Sequence, residues 1–166
     1  AYELSLGLVG SEMCIRDRYL GIKVLSLANN HSWDYGASGI LSTIAEVELR
    51  GIVHSGTGSD LATATSPAYI DLGGLRLSLV SAASVNAPEN ARATETRPGG
   101  NMLDPGNAAD WDRNLASIEI ASMESDLAIV YQHYQTDAEI ENFQEVQYLS
   151  ACKQIPWEVC GGRAER

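Results

Sequence analysis

The stretch GIKVLSLANNHSWDYGASGILSTIAEVELRGIVH, Gly21 to His54, changes its periodicity twice. Ile22–Ala28 is a short apolar run rich in β-branched residues, too short for a helix, and reads as a buried strand. Asn29–Gly36 is polar and ends in glycine, so it reads as a loop. From Ser38 to Leu49 the pattern is helical, with Ile40, Ile44 and Val47 on one face and Leu41 beside them. Gly51 closes that helix, and Ile52–His54 begins another strand. Strand, helix and strand at this spacing form a βαβ unit, which sets the fold class as α/β.

The rest of the chain fits that class. Alternating residues flank Gly73-Gly74 from Tyr69 to Leu79, the signal of a two-residue hairpin. "SGTGSD", Ser55–Asp60, lacks the lysine of a phosphate-binding loop and its glycine spacing, so it reads as turn chemistry. Asn86–Pro105, polar and carrying three prolines, is expected to be a surface loop. Trp111–Met123 returns to helical spacing through Trp111, Leu115 and Ile118, with Asp110 as the expected N-cap. Leu127–Tyr131 is expected to be a buried strand, followed by a helix from Ala138 to about Lys153.

A chain of 166 residues with 45% apolar composition is enough for one domain with a core. The formal charge of −11 argues against nucleic acid as a ligand, and it suits either a divalent cation or plain solubility. No apolar run approaches the roughly 20 residues of a membrane span. The cysteines, Cys14, Cys152 and Cys160, form no C-x-x-C pair and no disulfide framework. "LVGSEMCIRD", Leu8–Asp17, resembles a translated transposase adapter of the kind used in sequencing libraries. Residues 1–18 are therefore expected to be a scar outside the fold rather than a genuine N-terminal segment. The domain proper is expected over 19–149, with 150–166 an unassigned tail.

Two expected strands, Ile22–Ala28 and Leu127–Tyr131, end in histidine-bearing loops. Ligands of α/β sheets collect at strand carboxyl ends. An asparagine oxygen and an imidazole nitrogen are competent metal ligands, and a histidine beside a phosphoryl group donates a proton or steadies charge. The structural alternatives stand beside these readings. Asn29–His31 also fits a plain turn, Asp34 a helix cap, and His133 and His54 a structural histidine. Asn30-His31-Ser32 matches the glycosylation sequon, here taken as coincidence.

Leu27–His31, Asp34, Gly36, Gly39, Thr43, Gly51-Ile52, Gly56, Gly58, Ala64 and Pro67, followed by the hairpin, resemble the CapA-type capsule and poly-γ-glutamate synthesis family. "SDLAIVYQHY", Ser125–Tyr134, and "RPGGN", Arg97–Asn101, are similar to later segments of it. The resemblance implies an incomplete layered α/β sandwich of the metallophosphoesterase type around a divalent metal (Mn, Zn or Fe). It puts Asn30 and His133 in the place of metal ligands, and His31 in that of the catalytic histidine near the phosphoryl oxygens. Asn29 and Asp34 would orient them. The family's acidic segments expected before Tyr19 and its late histidine-rich segment have no counterpart, and Gln135 and Asp137 stand where glycine and glutamate are usual. The chain is accordingly expected to be an inactive fragment of a protein that acts on an anionic polymer or a phosphoester. The alternative is a non-catalytic polymer-binding module on the same fold. Family habit places such proteins at the bacterial cell surface, beside capsule-synthesis membrane proteins.

Overall fold

The structure is a computed structural model and describes residues 21–84, 88–104 and 106–134. The expected scar over 1–18, the expected helix over 138–153, Gln135, Asp137 and the tail from 150 to 166 lie outside the described residues.

The βαβ unit is present. Strand β1, Val24–Ser26, pairs in parallel with β2, Val53–Ser55, in the register Val24↔Val53. Helix α1, Gly36–Leu49, connects them and packs on β2. It buries Ile40 and Val47, leaves Ile44 half-buried, and carries Leu41 at the solvent edge. Its end is a Schellman cap: the Gly51 amide donates to the Glu48 carbonyl at 2.9 Å and the Ile52 amide to the Val47 carbonyl at 3.2 Å. Its start has no side-chain cap, so Asp34 is not the capping group.

Past β2, Gly56 turns the chain at φ +102° into the two-residue strand β3, Thr57–Gly58. A Cβ on Gly56 would meet the Ala28 Cβ at 2.6 Å and the Ser81 Cβ at 2.9 Å. Backbones therefore approach here to a distance that admits only glycine. Asp60 then starts the short helix α2, Leu61–Thr65, through a capping box with Thr63. "SGTGSD" is thus turn chemistry, as its composition indicated, and it also carries a strand and a cap.

The hairpin follows, with β4, Ala68–Leu72, antiparallel to β5, Leu75–Ser84. Both turn glycines have positive φ, which the favoured two-residue hairpin turn requires. Strand β7, Leu127–Tyr134, lies parallel to β5 on its other edge. Helix α3, Ala108–Glu124, covers one face of this sheet, where Ile118 and Ala121 pack on Val80 and Ala128. The opposite face of β5 meets the β1 end at Ala28, Ala83, Ala91 and Met102, with Trp33 packed against them. Helix, sheet and second βαβ layer make the α/β sandwich.

Three sequence expectations need correction. The segment expected as a surface loop over Asn86–Pro105 turns into the interior near its end, where Gly99 to Leu103 are buried, while 88–90 and 95–96 are exposed. That end is buried because its backbone is paired. Strand β6, Gly99–Gly100, is antiparallel to β3, the Asn101 amide donates to the Gly56 carbonyl at 2.9 Å, and Ala83 and Leu103 exchange bonds with residues 101 and 83 at 2.9 Å. Second, the α3 N-cap is Asn107, whose side chain accepts from the Ala109 amide at 3.0 Å; Asp110 sits inside the first turn, 2% exposed. Third, β7 is not buried throughout: Leu127 is 54% and Ile129 44% exposed, because β7 is an edge strand among the described residues and α3 covers only one of its faces.

Asp110 accepts from Arg92 at 2.7 Å, from Arg113, and from the Asp104 amide at 3.0 Å. Burial pushes its carboxyl up, but the Arg92 hydrogen bond, the Asp104 amide and Arg113 outweigh that and hold it below the usual carboxylate range. A depressed folded pKa contributes stability that is present above the unfolded value and is lost as the pH falls through the folded one. Asp110→Asn is expected to lower stability near neutral pH by about 3 kcal/mol. It should also flatten the loss of stability below about pH 4. Urea unfolding at several pH values measures both effects; parallel pH profiles for the two proteins would contradict the assignment.

Candidate functional site

The turn after β1 is held by its own side chains. The Asn29 Oδ1 accepts from the His31 amide at 2.8 Å, and the Ser32 hydroxyl donates to the Asn29 carbonyl at 2.9 Å. Backbone bonds from Ser32 to Asn29, Asp34 to His31 and Gly36 to Trp33 close successive turns. An asparagine bonding the backbone two residues on is what stabilises such a turn. Asn30 is thereby presented half-buried, with its side chain free to point across to β7.

His133 meets it there. The register Ala83↔His133 fixes the histidine, and the Gln132 amide donates to the Ser84 hydroxyl at 2.8 Å, which donates to the Leu103 carbonyl at 2.7 Å. His133 Nε2 lies 3.0 Å from Asn30 Oδ1, across 103 residues of sequence. An amide oxygen only accepts, so Nε2 carries the proton. Nδ1 is then the acceptor for the Tyr131 hydroxyl at 3.5 Å, a weak bond at that length.

His31 takes another direction. Its Nδ1 lies 2.9 Å from Asp34 Oδ2, with the two side chains 74% and 53% exposed. At that exposure the pair orients the ring and adds little stability. Asn29 and Asp34 thus both bear on His31, through its amide and its ring. His31 also lines a cleft of about 200 Å³ with Tyr35, Ile40, Thr43 and Thr57; neither Asn30 nor His133 lines it. His54 faces Glu48 on α1, 3.6 Å away, as a structural histidine does.

Asn30 Oδ1 and His133 Nε2, 3.0 Å apart, are an amide oxygen and an imidazole nitrogen, both atom types that can ligate a divalent ion. No group of three or more His, Cys, Asp or Glu side chains that could hold a metal occurs among the described residues. Two neutral donors are therefore what these residues offer.

Tyr131 and Thr57 were not singled out by sequence reasoning, and Thr43 entered it only as part of the family resemblance. Tyr131 was within reach of it, since the period of a strand puts residues 131 and 133 on one face. Thr57 carries no such signal, because only the fold brings it beside His31.

The sequence matches, over residues 17–149, the model of a family described as bacterial capsule synthesis protein PGA_cap. It is 34% identical over 115 residues to a Mycobacterium tuberculosis protein named "probable polyglutamine synthesis accessory protein", covering 67% of this chain and 30% of that one. It is 31% identical over 108 residues to an uncharacterized protein of Sinorhizobium fredii, covering 62% of this chain and 23% of that one. The chain thus spans under a third of the length of these relatives. Among the described residues, no helix is long and apolar enough to cross a membrane.

In a long-range ¹⁵N–¹H spectrum, His133 is expected as the Nε2–H tautomer, and Asn30→Ala should remove that preference. Finding the Nδ1–H form would mean that the Asn30 amide is turned the other way.

Proposed function

The chain belongs to the PGA_cap family of bacterial capsule synthesis proteins, whose fold is metallophosphoesterase-like; on that premise we propose that it serves poly-γ-glutamate capsule biosynthesis through a metal site of that type. The observation that carries the reading is the 3.0 Å contact between Asn30 Oδ1 and His133 Nε2 at the ends of β1 and β7. Asn30 and His133 are two ligands of a divalent ion (Mn, Zn or Fe). The ion supplies Lewis acidity toward a phosphoester oxygen. To ligate through Nε2, His133 would carry its proton on Nδ1, which faces the Tyr131 hydroxyl. His31 is the acid–base group beside the substrate, with Asp34 holding the ring and Asn29 holding the turn.

A hydrolytic site needs more ligands than these two and an open position for water, and a two-metal site would need bridging carboxylates as well. A second reading follows from the same donor set: a non-catalytic module that binds an anionic polymer on this fold, alongside capsule-synthesis membrane proteins.

The test is a titration with Mn²⁺ and Zn²⁺ followed by calorimetry, together with phosphomonoesterase and phosphodiesterase assays. Weak binding is expected, lost in both Asn30→Ala and His133→Ala, with no turnover by this chain. Binding unchanged in those variants would refute the ligand assignment. Metal-dependent turnover abolished by His31→Ala would show that other residues of the chain complete the site.

A further inference from the structure

We propose that Tyr131 is the positioning residue of the candidate metal site: its hydroxyl steadies the His133 ring with Nε2 toward Asn30. The inference rests on the reading of Asn30 and His133 as ligands. Strand β7 runs in register with β5 through Ser81↔Tyr131 and Ala83↔His133, so the two side chains stand on one face of a paired strand. The imidazole is then met from two sides. Asn30 Oδ1 lies 3.0 Å from Nε2, and the Tyr131 hydroxyl lies 3.5 Å from Nδ1. Among the described residues, His133 is the group to which the Tyr131 hydroxyl bonds.

The choice of a hydroxyl matters because a neutral histidine has one bare and one protonated nitrogen, and only the bare one ligates. With the proton on Nε2, as the Asn30 contact requires, Nδ1 is an acceptor and Tyr131 donates to it. With the proton on Nδ1, Nε2 is bare and Tyr131 accepts. A carbonyl in this place would serve only the second form, and an ammonium or guanidinium only the first. A phenol serves both by turning its O–H bond, so Nδ1 keeps a partner in either. The passage between the forms balances without a change of charge: Nε2 releases one proton to water and Nδ1 takes one up. Tyr131 is 43% exposed, so water takes the bond of its hydroxyl that His133 does not use. A bond of 3.5 Å adds little stability. Its effect is to give a ring already placed by the strand a partner on the side away from Asn30, as the outer partner of a ligating histidine does.

The test begins without metal, at a fixed pH, on the whole chain in EDTA. In a long-range ¹⁵N–¹H spectrum, the Nδ1 resonance of His133 is expected to move in Tyr131→Phe, with those of His31 and His54 unchanged. Phenylalanine keeps the ring and removes only the hydroxyl, so the spectrum does not read a loss of packing. Calorimetry with Zn²⁺ and with Mn²⁺ follows, on the native chain, Tyr131→Phe and Asn30→Ala. Tyr131→Phe is expected to bind about three- to tenfold more weakly, at or below the usual effect of losing a ligating histidine's partner, because the hydroxyl is partly exposed. Binding lost in Asn30→Ala but unchanged in Tyr131→Phe overturns the proposal and leaves the ligand reading standing. Binding unchanged in both variants overturns the ligand reading and the proposal with it. A His133 Nδ1 resonance that stays in place in Tyr131→Phe overturns the proposal whatever the metal titrations give.

Discussion

Asn101 is the node on which the two halves of this sandwich are joined. Fully buried, it donates through its backbone to Gly56 and accepts from the Ala83 amide. Its side-chain amide donates to the Ser81 carbonyl at 2.9 Å and to Asn114 Oδ1 at 2.8 Å, and Asn114 donates onward to the Asp110 carbonyl. One residue thus ties the βαβ layer, strand β5 and helix α3. A buried amide with its bonds made is stabilising, and the same amide with one partner removed carries the full cost of desolvation. The apolar clusters on either side are small: Ala28, Ala83, Ala91 and Met102 on one, Val80, Ile118 and Ala121 on the other. Polar bonds set the geometry that such clusters cannot set by shape alone.

The donor pair inherits that geometry. Asn30 hangs from β1 and His133 from β7, 103 residues apart in sequence, so only the fold brings them together. They meet because β1 rests on β5 at Ala28 and Ala83, and because β7 runs in register with β5. The Asp110 ion pairs serve the same end from further away, fastening residues 92 and 104 to α3 so that the 99–103 segment stays in place.

Much of this architecture was legible in the residues. The βαβ unit, the Gly73-Gly74 hairpin and the α1 stop at Gly51 followed from periodicity and turn chemistry, which act over a few neighbours. Residues 99–103 did not, because "GGNML" has no period and its burial comes chiefly from backbone partners distant in sequence, at Gly56, Thr57, Gly58 and Ala83. Asp110 looked like a cap because it is acidic and opens a helical pattern; its real partners, Arg92 and the Asp104 amide, lie across a loop. The exposure of Ile129 was hidden for a similar reason, since an apolar strand reads the same at an edge and at a centre. At the site, Asn30 and His133 were suggested by their strand ends, and resemblance proposed their roles. That Asn29 and Asp34 both hold His31, one through its amide and one through its ring, was not visible in either.

Gly56 sits between the Ala28 and Ser81 side chains with no room for a methyl group. Ala28 precedes Asn30 by two residues, and Ser81 lies on the strand that carries His133's register partner. The absent side chain therefore works as a gauge block, setting how closely the Ala28 end of β1 approaches β5, the strand with which β7 and His133 are in register. A methyl group there would push the end of β1 away from β5, so the meeting of Asn30 with His133 depends on a side chain the chain does not have.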